Sequence, residues 1–144
     1  MINLKNRIAL VTGGAGHIGS DIAMTLCSQG VKVILADNSK SGLTRINSKL
    51  QKKYNKLLEA YLIDLTNDME VGNLKKHLSK RYKKIDILVN SIGMVGTDKI
   101  DGWNTDFKYQ KKDAWKKALD INLTSIFFLI QALQPLLKKS KNAS

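Results

Sequence analysis

The stretch VTGGAGHIGSDIA, residues 11–23, decides the fold. It holds glycines at positions 13, 14, 16 and 19, and it lies between an apolar run and a segment whose apolar residues repeat at helical spacing. Where a buried strand turns directly into a helix, the first main-chain N–H groups of the helix are unpaired and carry a partial positive charge. Such a turn stabilises an anion, typically a pyrophosphate. The stretch therefore predicts a phosphate-binding turn.

Four short apolar runs recur along the chain at similar spacing. They are leucine-rich or β-branched and do not alternate apolar with polar residues, which predicts strands buried on both faces of a parallel sheet. The runs are RIALVT (7–12), KVILAD (32–37), EAYLID (59–64) and IDILVN (85–90). Helical patterns separate them, and this alternation predicts right-handed crossovers and a doubly wound α/β fold.

The segments between these runs repeat apolar residues at helical spacing. The predicted apolar faces are Ile18, Ile22, Ala23, Leu26 and Cys27 in the first helix and Leu43, Ile46, Leu50 and Leu57 in the second. In the third helix Thr66 is the predicted cap, Glu70 lies in the first turn, and Leu74 and Leu78 form the apolar side. A longer helix is predicted over residues 110–137, after an irregular loop over residues 93–107.

The glycines and one carboxylate together predict a dinucleotide site. Gly13 would allow the tight turn, Gly16 the close approach of main chain to phosphate, and Gly19 the close packing of helix on strand. Asp37 ends the second run, near the offset of about 20 residues at which a carboxylate accepts from the adenosine ribose hydroxyls. A carboxylate there repels a 2′-phosphate, which favours NAD over NADP, although Lys40 argues the other way. The alternative is a purely structural turn in which Asp37 caps a loop.

At this point the chain resembles the short-chain dehydrogenase/reductase family over its whole length. TGGAGHIG (12–19) resembles the family's glycine-rich loop in the form common in its longer branch, which acts on sugar nucleotides. Asp64–Leu65 resembles the pair that flanks the adenine, and NSIG (90–93) resembles the Asn-Asn-Ala-Gly run after the fourth strand, with Ser and Ile replacing its middle residues. DINL (120–123) resembles the helix segment that carries the catalytic asparagine. The resemblance implies a Rossmann-like sheet of strand order 3-2-1-4.

The resemblance also implies which residues serve the site. Asn122 would be catalytic, and the contacts to the cofactor would come from Gly13, Gly16, His17, Ile18, Gly19, Asp37, Asp64, Leu65, Asn90, Ser91 and Gly93. For His17 two interpretations stay open. Its ring either packs on the first helical turn or contacts the pyrophosphate from the helix N-terminus.

In the resembled family a tyrosine is the acid/base, a lysine four residues later lowers its pKa, a serine orients the substrate oxygen, and the asparagine holds a water. The positions four residues after Tyr54, Tyr61, Tyr82 and Tyr109 are Leu58, Leu65, Asp86 and Asp113. We therefore expect the cofactor-binding portion of a dehydrogenase for alcohols or ketones, lacking the C-terminal strands and inactive by itself. The alternative is a non-catalytic NAD-binding module that needs a partner to complete its fold.

Two apolar surfaces predict self-association. Strand order 3-2-1-4 leaves IDILVN at an exposed sheet edge, and such edges pair with other chains. INLTSIFFLIQAL (121–133) is apolar nearly all round, which implies burial on more than one side. The resemblance places this helix at a subunit interface. We expect a homo-oligomer.

Composition bounds the remaining classes. The 144 residues predict one domain, 1–144. The net charge of +12 comes almost wholly from lysine without interleaved aromatic residues, so nucleic-acid binding rests on charge alone; salt-sensitive DNA binding without competition from NAD would support it. One cysteine excludes an internal disulfide framework, and the two histidines lie far apart, so no metal site is expected. The N-terminus lacks a signal-peptide pattern and the apolar region 121–137 is interrupted by polar residues, so we expect a cytoplasmic protein without a membrane span.

Overall fold

The computed structural model describes residues 3–54, 57–96 and 98–144. Within these ranges four parallel strands form one sheet in the order β3-β2-β1-β4. The strands are β1 (Ile8–Thr12), β2 (Lys32–Asp37), β3 (Leu58–Leu62) and β4 (Ile87–Asn90). The helices are α1 (His17–Ser28), α2 (Lys40–Tyr54), α3 (Asp68–Arg81), α4 (Lys112–Leu119) and α5 (Ser125–Leu137). The predicted doubly wound α/β fold and its strand order are confirmed.

The strands lie where the apolar runs predicted them, with shifts at their ends. β2 coincides with KVILAD, whereas β1 begins one residue later and β4 two residues later than predicted. The third prediction was wrong at both ends, since β3 begins one residue earlier and stops at Leu62. Ile63 nevertheless donates its N–H to the carbonyl of Asp37 at 2.9 Å, so one ladder bond continues past the strand.

Each face of the sheet carries its own apolar core. Leu10 and Ile34 pack with α3 and α5, whereas Val11 and Leu35 pack with α1 and α2. All four side chains are fully buried, which confirms burial on both faces for β1 and β2. The same prediction was wrong for the outer strands β3 and β4, most of whose side chains are half-buried or exposed. Cys27 belongs to the second core, where burial raises the pKa of its thiol to about 11. Its predicted role as a core residue is confirmed.

Two predicted members of the helix faces do not lie there. The face that α1 buries runs through Gly19, Ala23 and Cys27, so Ile18 is turned about 100° away from it and is 71% exposed. On α2, Leu43, Ile46 and Leu50 are buried as predicted. This helix ends at Tyr54, however, and Leu57 packs on the same core from the segment that precedes β3.

The predicted cap of the third helix was wrong by one residue. Asn67 is the N-cap of α3, because its side-chain Oδ1 accepts from the N–H groups of Met69 and Glu70 at 3.0 and 3.4 Å. Thr66 is engaged elsewhere: its N–H and hydroxyl both donate to Asp64 Oδ1, at 2.9 and 2.8 Å. The predicted loop over residues 93–107 is irregular where the structure describes it up to residue 106, and a single 3₁₀ turn, Phe107–Tyr109, begins at its last residue.

The helix predicted over residues 110–137 is helical throughout from Lys112 to Leu137, but it is not α-helical in its middle turn. A π-helical turn, Asp120–Thr124, separates α4 from α5. Ser125 donates its N–H to the carbonyl of Asp120, the spacing of a π turn, and its hydroxyl to the carbonyl of Ile121 at 2.8 Å. The buried Ser125 side chain therefore supplies the donor that this carbonyl would receive from the main chain in a regular α-helix.

By length and composition alone, this run is apolar enough to cross a membrane. Among the described residues it is the one helix of this kind, Lys112–Leu137, and its most apolar 18-residue window has a mean hydropathy of 1.3. One such helix is weak support for a span, because core helices of globular proteins have the same length and composition.

A buried carboxylate ties the start of the sheet to the last residues of the chain. Asp86 is 3% exposed and accepts from the Ile8 N–H, the Lys84 ammonium and the Ser140 hydroxyl at 2.6–2.9 Å. Burial alone would raise the pKa of Asp86, but these hydrogen bonds outweigh it and lower the pKa below its ordinary value. Ser144 bonds the main chain of β4, so the edge is partly covered rather than fully open as predicted.

A second polar cluster lies where β3 meets the C-terminal turn of α3. Glu59 Oε1 is 2.6 Å from His77 Nε2, and Glu59 Oε2 is 3.0 Å from Arg81 Nε. Tyr82 donates its hydroxyl to the same carboxylate. Burial, with this hydrogen bond, raises the pKa of Tyr82 to about 12. Arg81 thereby forms an ion pair with the Glu59 carboxylate at the corner of the sheet.

Candidate functional site

The glycine-rich loop is built from main chain at very short range. Gly13 has φ +64°, and a Cβ placed on it would lie 2.4 Å from the carbonyl oxygen of Ser91. A Cβ on Gly19 would lie 2.3 Å from the carbonyl oxygen of Gly13. Only glycine fits at these two positions, so the loop presses on the end of β4 and the first turn of α1 presses on the loop. Gly16 is the N-cap of α1 and has no side chain to occupy the first N–H groups of the helix.

Asp37 and Arg45 hold this loop from two sides. Asp37 Oδ2 accepts from the N–H of Ala15 at 3.0 Å, and Oδ1 accepts from the N–H of Ser39 at 2.8 Å. Arg45, on α2, donates to the carbonyl of Ala15 at 3.2 Å. The Ala15 peptide is thus bonded at both of its polar groups. Sequence reasoning found Asp37 but missed its bond to the loop and missed Arg45, whose only signal was that arginine is rare in this chain.

Three more of the predicted site residues follow directly after β3 and β4. Asp64 follows β3 and is fixed by Thr66, while Leu65 is 5% exposed and belongs to the core. Ser91 donates its N–H to the carbonyl of Thr12 at 3.2 Å, which keeps the loop after β4 beside β1.

Asn122 lies in the π-helical turn, and both hydrogen bonds that its side chain makes are to one residue. Its Oδ1 accepts from the Met94 N–H at 2.6 Å, and its Nδ2 donates to the Met94 carbonyl at 3.1 Å. Met94 is 5% exposed. The asparagine therefore clamps the loop after β4 to the helix. Sequence reasoning missed Met94, because a contact across 28 positions leaves no local pattern.

A single cavity of about 510 Å³ joins most of these elements. It lies at the carboxyl ends of the strands, where open α/β sheets bind ligands. Its wall includes Gly13, Gly16, Asp37, Asp64, Leu65, Ser91 and Gly93 among the predicted residues, and Lys117, Asp120 and Ile121 from the helix above. Seven of the eleven predicted cofactor contacts thus meet at one cavity.

The remaining predicted residues lie outside the cavity wall. His17 and Ile18 are exposed on the first turn of α1, so the interpretation of His17 as a packing residue was wrong, while its contact with a pyrophosphate stays a prediction. Gly19 is buried beneath the loop, and Asn90 is the exposed last residue of β4. Asn122 reaches the site through Met94 and Gly93 rather than by lining it.

Within the ranges that the structure describes, no group of three or more His, Cys, Asp or Glu side chains could hold a metal ion. The four carboxylates at or near the cavity are instead engaged with main-chain donors or face solvent. Asp37, Asp64 and Asp98 each accept from at least one N–H group.

Known proteins of similar sequence are oxidoreductases. The chain is 32% identical over 135 residues to an uncharacterized oxidoreductase of Staphylococcus saprophyticus, covering 94% of this chain and 55% of that protein. It is 28% identical to the sorbose reductase of Candida albicans, covering 100% of this chain and 49% of that protein. The chain thus spans about half the length of the curated relatives that it matches.

Solved structures agree with the sequence relatives. A short chain dehydrogenase from Shigella flexneri superposes with a TM-score of 0.84 at 28% identity, over 99% of this chain and 55% of that chain. A protein of Escherichia coli CFT073 in complex with NADPH superposes with a TM-score of 0.85 at 28% identity, over 99% of this chain and 58% of that chain. The family model described as short chain dehydrogenase matches residues 7–144. With its parallel 3-2-1-4 sheet, its glycine-rich turn and this match over nearly the whole sequence, the chain belongs to the short-chain dehydrogenase family.

Proposed function

We propose that this chain is the cofactor-binding part of an NAD-dependent oxidoreductase that acts on an alcohol or ketone. The observation that carries the proposal is the cavity, which collects the glycine turn, the carboxylate that ends β2 and the loops after β3 and β4. When bound, the nicotinamide accepts or supplies the hydride. A relative named sorbose reductase supports a carbonyl or polyhydroxy substrate.

The residues present fit such a dinucleotide. The N–H groups at the start of α1 are not capped by a side chain, and a Cβ on Gly16 would lie 3.2 Å from the Gly13 carbonyl oxygen, within the turn that a pyrophosphate needs. Asp37 already accepts one N–H on each oxygen, and a carboxylate offers about four acceptor positions. Two acceptor positions therefore remain, which matches the two hydroxyls of an adenosine ribose.

The same carboxylate supports NAD over NADP. A 2′-phosphate beside Asp37 would set like charges against each other, and Asp37 cannot turn away without breaking its bond to Ala15. Related proteins have been solved with NADP and NADPH, so the family as a whole does not decide the choice.

The test is the affinity for NADH and NADPH, measured by fluorescence titration of the wild-type chain and of Asp37→Asn. We expect the wild type to bind NADH at least about tenfold more tightly, equal to about 1.4 kcal/mol, and Asp37→Asn to narrow that ratio. Asp21→Asn, which removes the same charge from the exposed surface of α1, is the matched control and leaves the ratio unchanged. Tighter binding of NADPH by the wild type would contradict the proposal of NAD.

We propose that Asn122 contributes by positioning, because its side chain holds Met94 and the loop after β4 against the π turn. One N–H and one acceptor position of its amide remain, and these can hold a water. No tyrosine of this sequence is followed four residues later by lysine. The alternative function is therefore a non-catalytic NAD-binding module. In that case we expect the 144-residue chain to bind NADH but to show no turnover with NAD and a panel of alcohols.

We further propose that the chain is a homo-oligomer. The continuous helix carries exposed apolar side chains along its length, namely Trp115, Leu119, Leu123, Phe127, Phe128 and Ile130. Their exposed fractions lie between 42% and 64%, far more than a solvated helix face of an ordinary domain shows. A cytoplasmic location and the absence of a nucleic-acid partner remain part of the proposal.

A further inference from the structure

The outer edge of β3 is open in the part of the chain that the structure describes. β3 is the end strand of the sheet, paired with β2 on one side only. Ile63 donates toward β2, so the alternation of main-chain groups turns the N–H and C=O of Leu58, Ala60 and Leu62 outward. The next outward N–H, that of Asp64, is already taken by the Glu70 carboxylate at 2.8 Å. The open edge thus ends sharply at Leu62.

A groove runs along this edge, between β3 and α2. It encloses about 250 Å³ and is lined by Lys40, Leu43, Thr44, Asn47, Ser48, Ala60 and Leu62. Leu43 and Leu62 give it an apolar floor, although Leu62 is 53% exposed. The Oδ1 atom of Asn47 is buried, and among the described residues it has no hydrogen-bond partner. A buried acceptor without a donor costs about 1–3 kcal/mol, and an N–H group of a bound segment would recover this cost if the Asn47 side chain turned toward it.

The dimensions of the groove suit an extended segment. The groove-lining residues of α2 recur every three or four positions, from Lys40 to Ser48, and the same spacing carries the row on to Lys52. Twelve residues of helix span about 18 Å, at about 1.5 Å each. A strand of five or six residues, at about 3.3 Å each, has the same length. The row therefore offers a lysine near each end and small polar side chains between them.

The positive charge of α2 favours an acidic partner over a second copy of this chain. α2 has five cationic residues, Lys40, Arg45, Lys49, Lys52 and Lys53, and no carboxylate. A second copy of this chain, pairing edge to edge, would bring its own cationic α2 to the same face, and like charges at that range oppose association. An acidic segment would be attracted by the same field.

We propose that the groove between α2 and β3 binds an extended acidic peptide segment of another protein, which adds to β3 as a further strand of the sheet. Its main chain pairs with Ala60 and Leu62, an apolar side chain covers Leu43 and Leu62, and its carboxylates meet Lys40 and Lys52. This is recognition by strand addition, in which main-chain bonds supply affinity and the groove supplies selectivity. It is independent of the cofactor cavity, which opens at the ends of the strands.

The test uses the full chain and a synthetic seven-residue peptide of alternating glutamate and valine with blocked ends, followed by ¹H–¹⁵N NMR. We expect the peptide to shift the amide signals of Ala60 and Leu62 and the side-chain amide of Asn47, and to slow hydrogen exchange at the two main-chain amides. A peptide of alternating lysine and valine should bind at least about tenfold more weakly. Equal binding of both peptides, or shifts confined to the exposed face of α5, would overturn the proposal.

A pair of substitutions distinguishes strand addition from electrostatic attraction without main-chain pairing. Ala60→Pro removes an outward N–H that the sheet does not use, whereas Ala60→Val keeps it. We expect at least about a tenfold loss of affinity for the glutamate peptide with proline and little change with valine. Should the proline variant melt early, a peptide N-methylated at its central residues makes the same test on wild-type protein. Unchanged binding of that peptide, or concentration-dependent shifts at Ala60 without any peptide, would refute strand addition by another protein.

Discussion

Gly19→Ala tests whether the phosphate-binding turn is as tightly built as the distances indicate. The new Cβ would stand 2.3 Å from the oxygen and 2.9 Å from the carbon of the Gly13 carbonyl. Both atoms belong to main chain, so relief requires the loop itself to move. Overpacking of this kind costs about 1–3 kcal/mol, and main-chain contact places it near the upper limit. Alanine recovers about 1 kcal/mol of helix propensity. The net loss is therefore about 2 kcal/mol.

Gly72→Ala is the matched control for this substitution. Gly72 lies inside α3, and a Cβ there meets nothing within 4 Å, so alanine should stabilise the chain by about 1 kcal/mol. By thermal melting we expect Gly19→Ala to lower the midpoint by about 6 °C and Gly72→Ala to raise it by about 3 °C. The first variant should also lose at least about tenfold in NADH affinity, because the turn that receives the pyrophosphate has moved. If both variants melt above wild type and bind NADH normally, the tight-turn reasoning is refuted.

Three further predictions address the clamp, the polar corner and the apolar helix. Asn122→Ala should lower the free energy of unfolding in urea by about 2 kcal/mol, because buried Met94 loses both partners; a loss below about 0.5 kcal/mol would contradict the clamp. The folded pKa of Tyr82, about 12 against an unfolded value of 10.0, means that its contribution is present below pH 10 and lost as pH rises toward 12. Urea unfolding from pH 9 to 12 should therefore show a steeper loss of stability for wild type than for Tyr82→Phe, and parallel curves would argue against the burial of Tyr82 together with its bond to Glu59. Leu123→Glu should lower the mass seen by light scattering at high protein concentration; a wild type that is already monomeric would contradict the proposed oligomer.

β1 and β2 were predictable because burial on both faces leaves an uninterrupted apolar run. KVILAD matched β2 to the residue, since polar residues bound the run on both sides. The glycine turn was predictable for a related reason. Close main-chain contact excludes every side chain, so positions such as Gly13 must be glycine and are visible in the sequence. The strand order followed from the family resemblance and not from the runs themselves.

Features decided by distant contacts were not predictable. Thr66 and Asn67 are both good capping residues. Asn67 caps α3, because the Thr66 hydroxyl is hydrogen-bonded to Asp64. The contact between Asn122, in the π turn, and Met94 spans 28 positions, and the hydrogen bond that the glycine loop donates to Asp37 spans 22. Neither leaves a periodic signal. The orientation of His17 and Ile18 likewise depends on the phase of α1, which the small buried residues set.

The hydrogen bond from the Ile8 N–H to Asp86 joins two segments that are synthesised at different times. β1 leaves the ribosome well before one of its two neighbours, β4, and before the carboxylate that receives its first N–H, because both lie 78 positions later in the chain. At about 5–20 residues per second, β1 waits about 4–16 s with one side unpaired. For that interval an apolar strand destined for the middle of the sheet is an edge. The demand on chaperones should therefore peak before Asp86 is synthesised and fall once it has emerged.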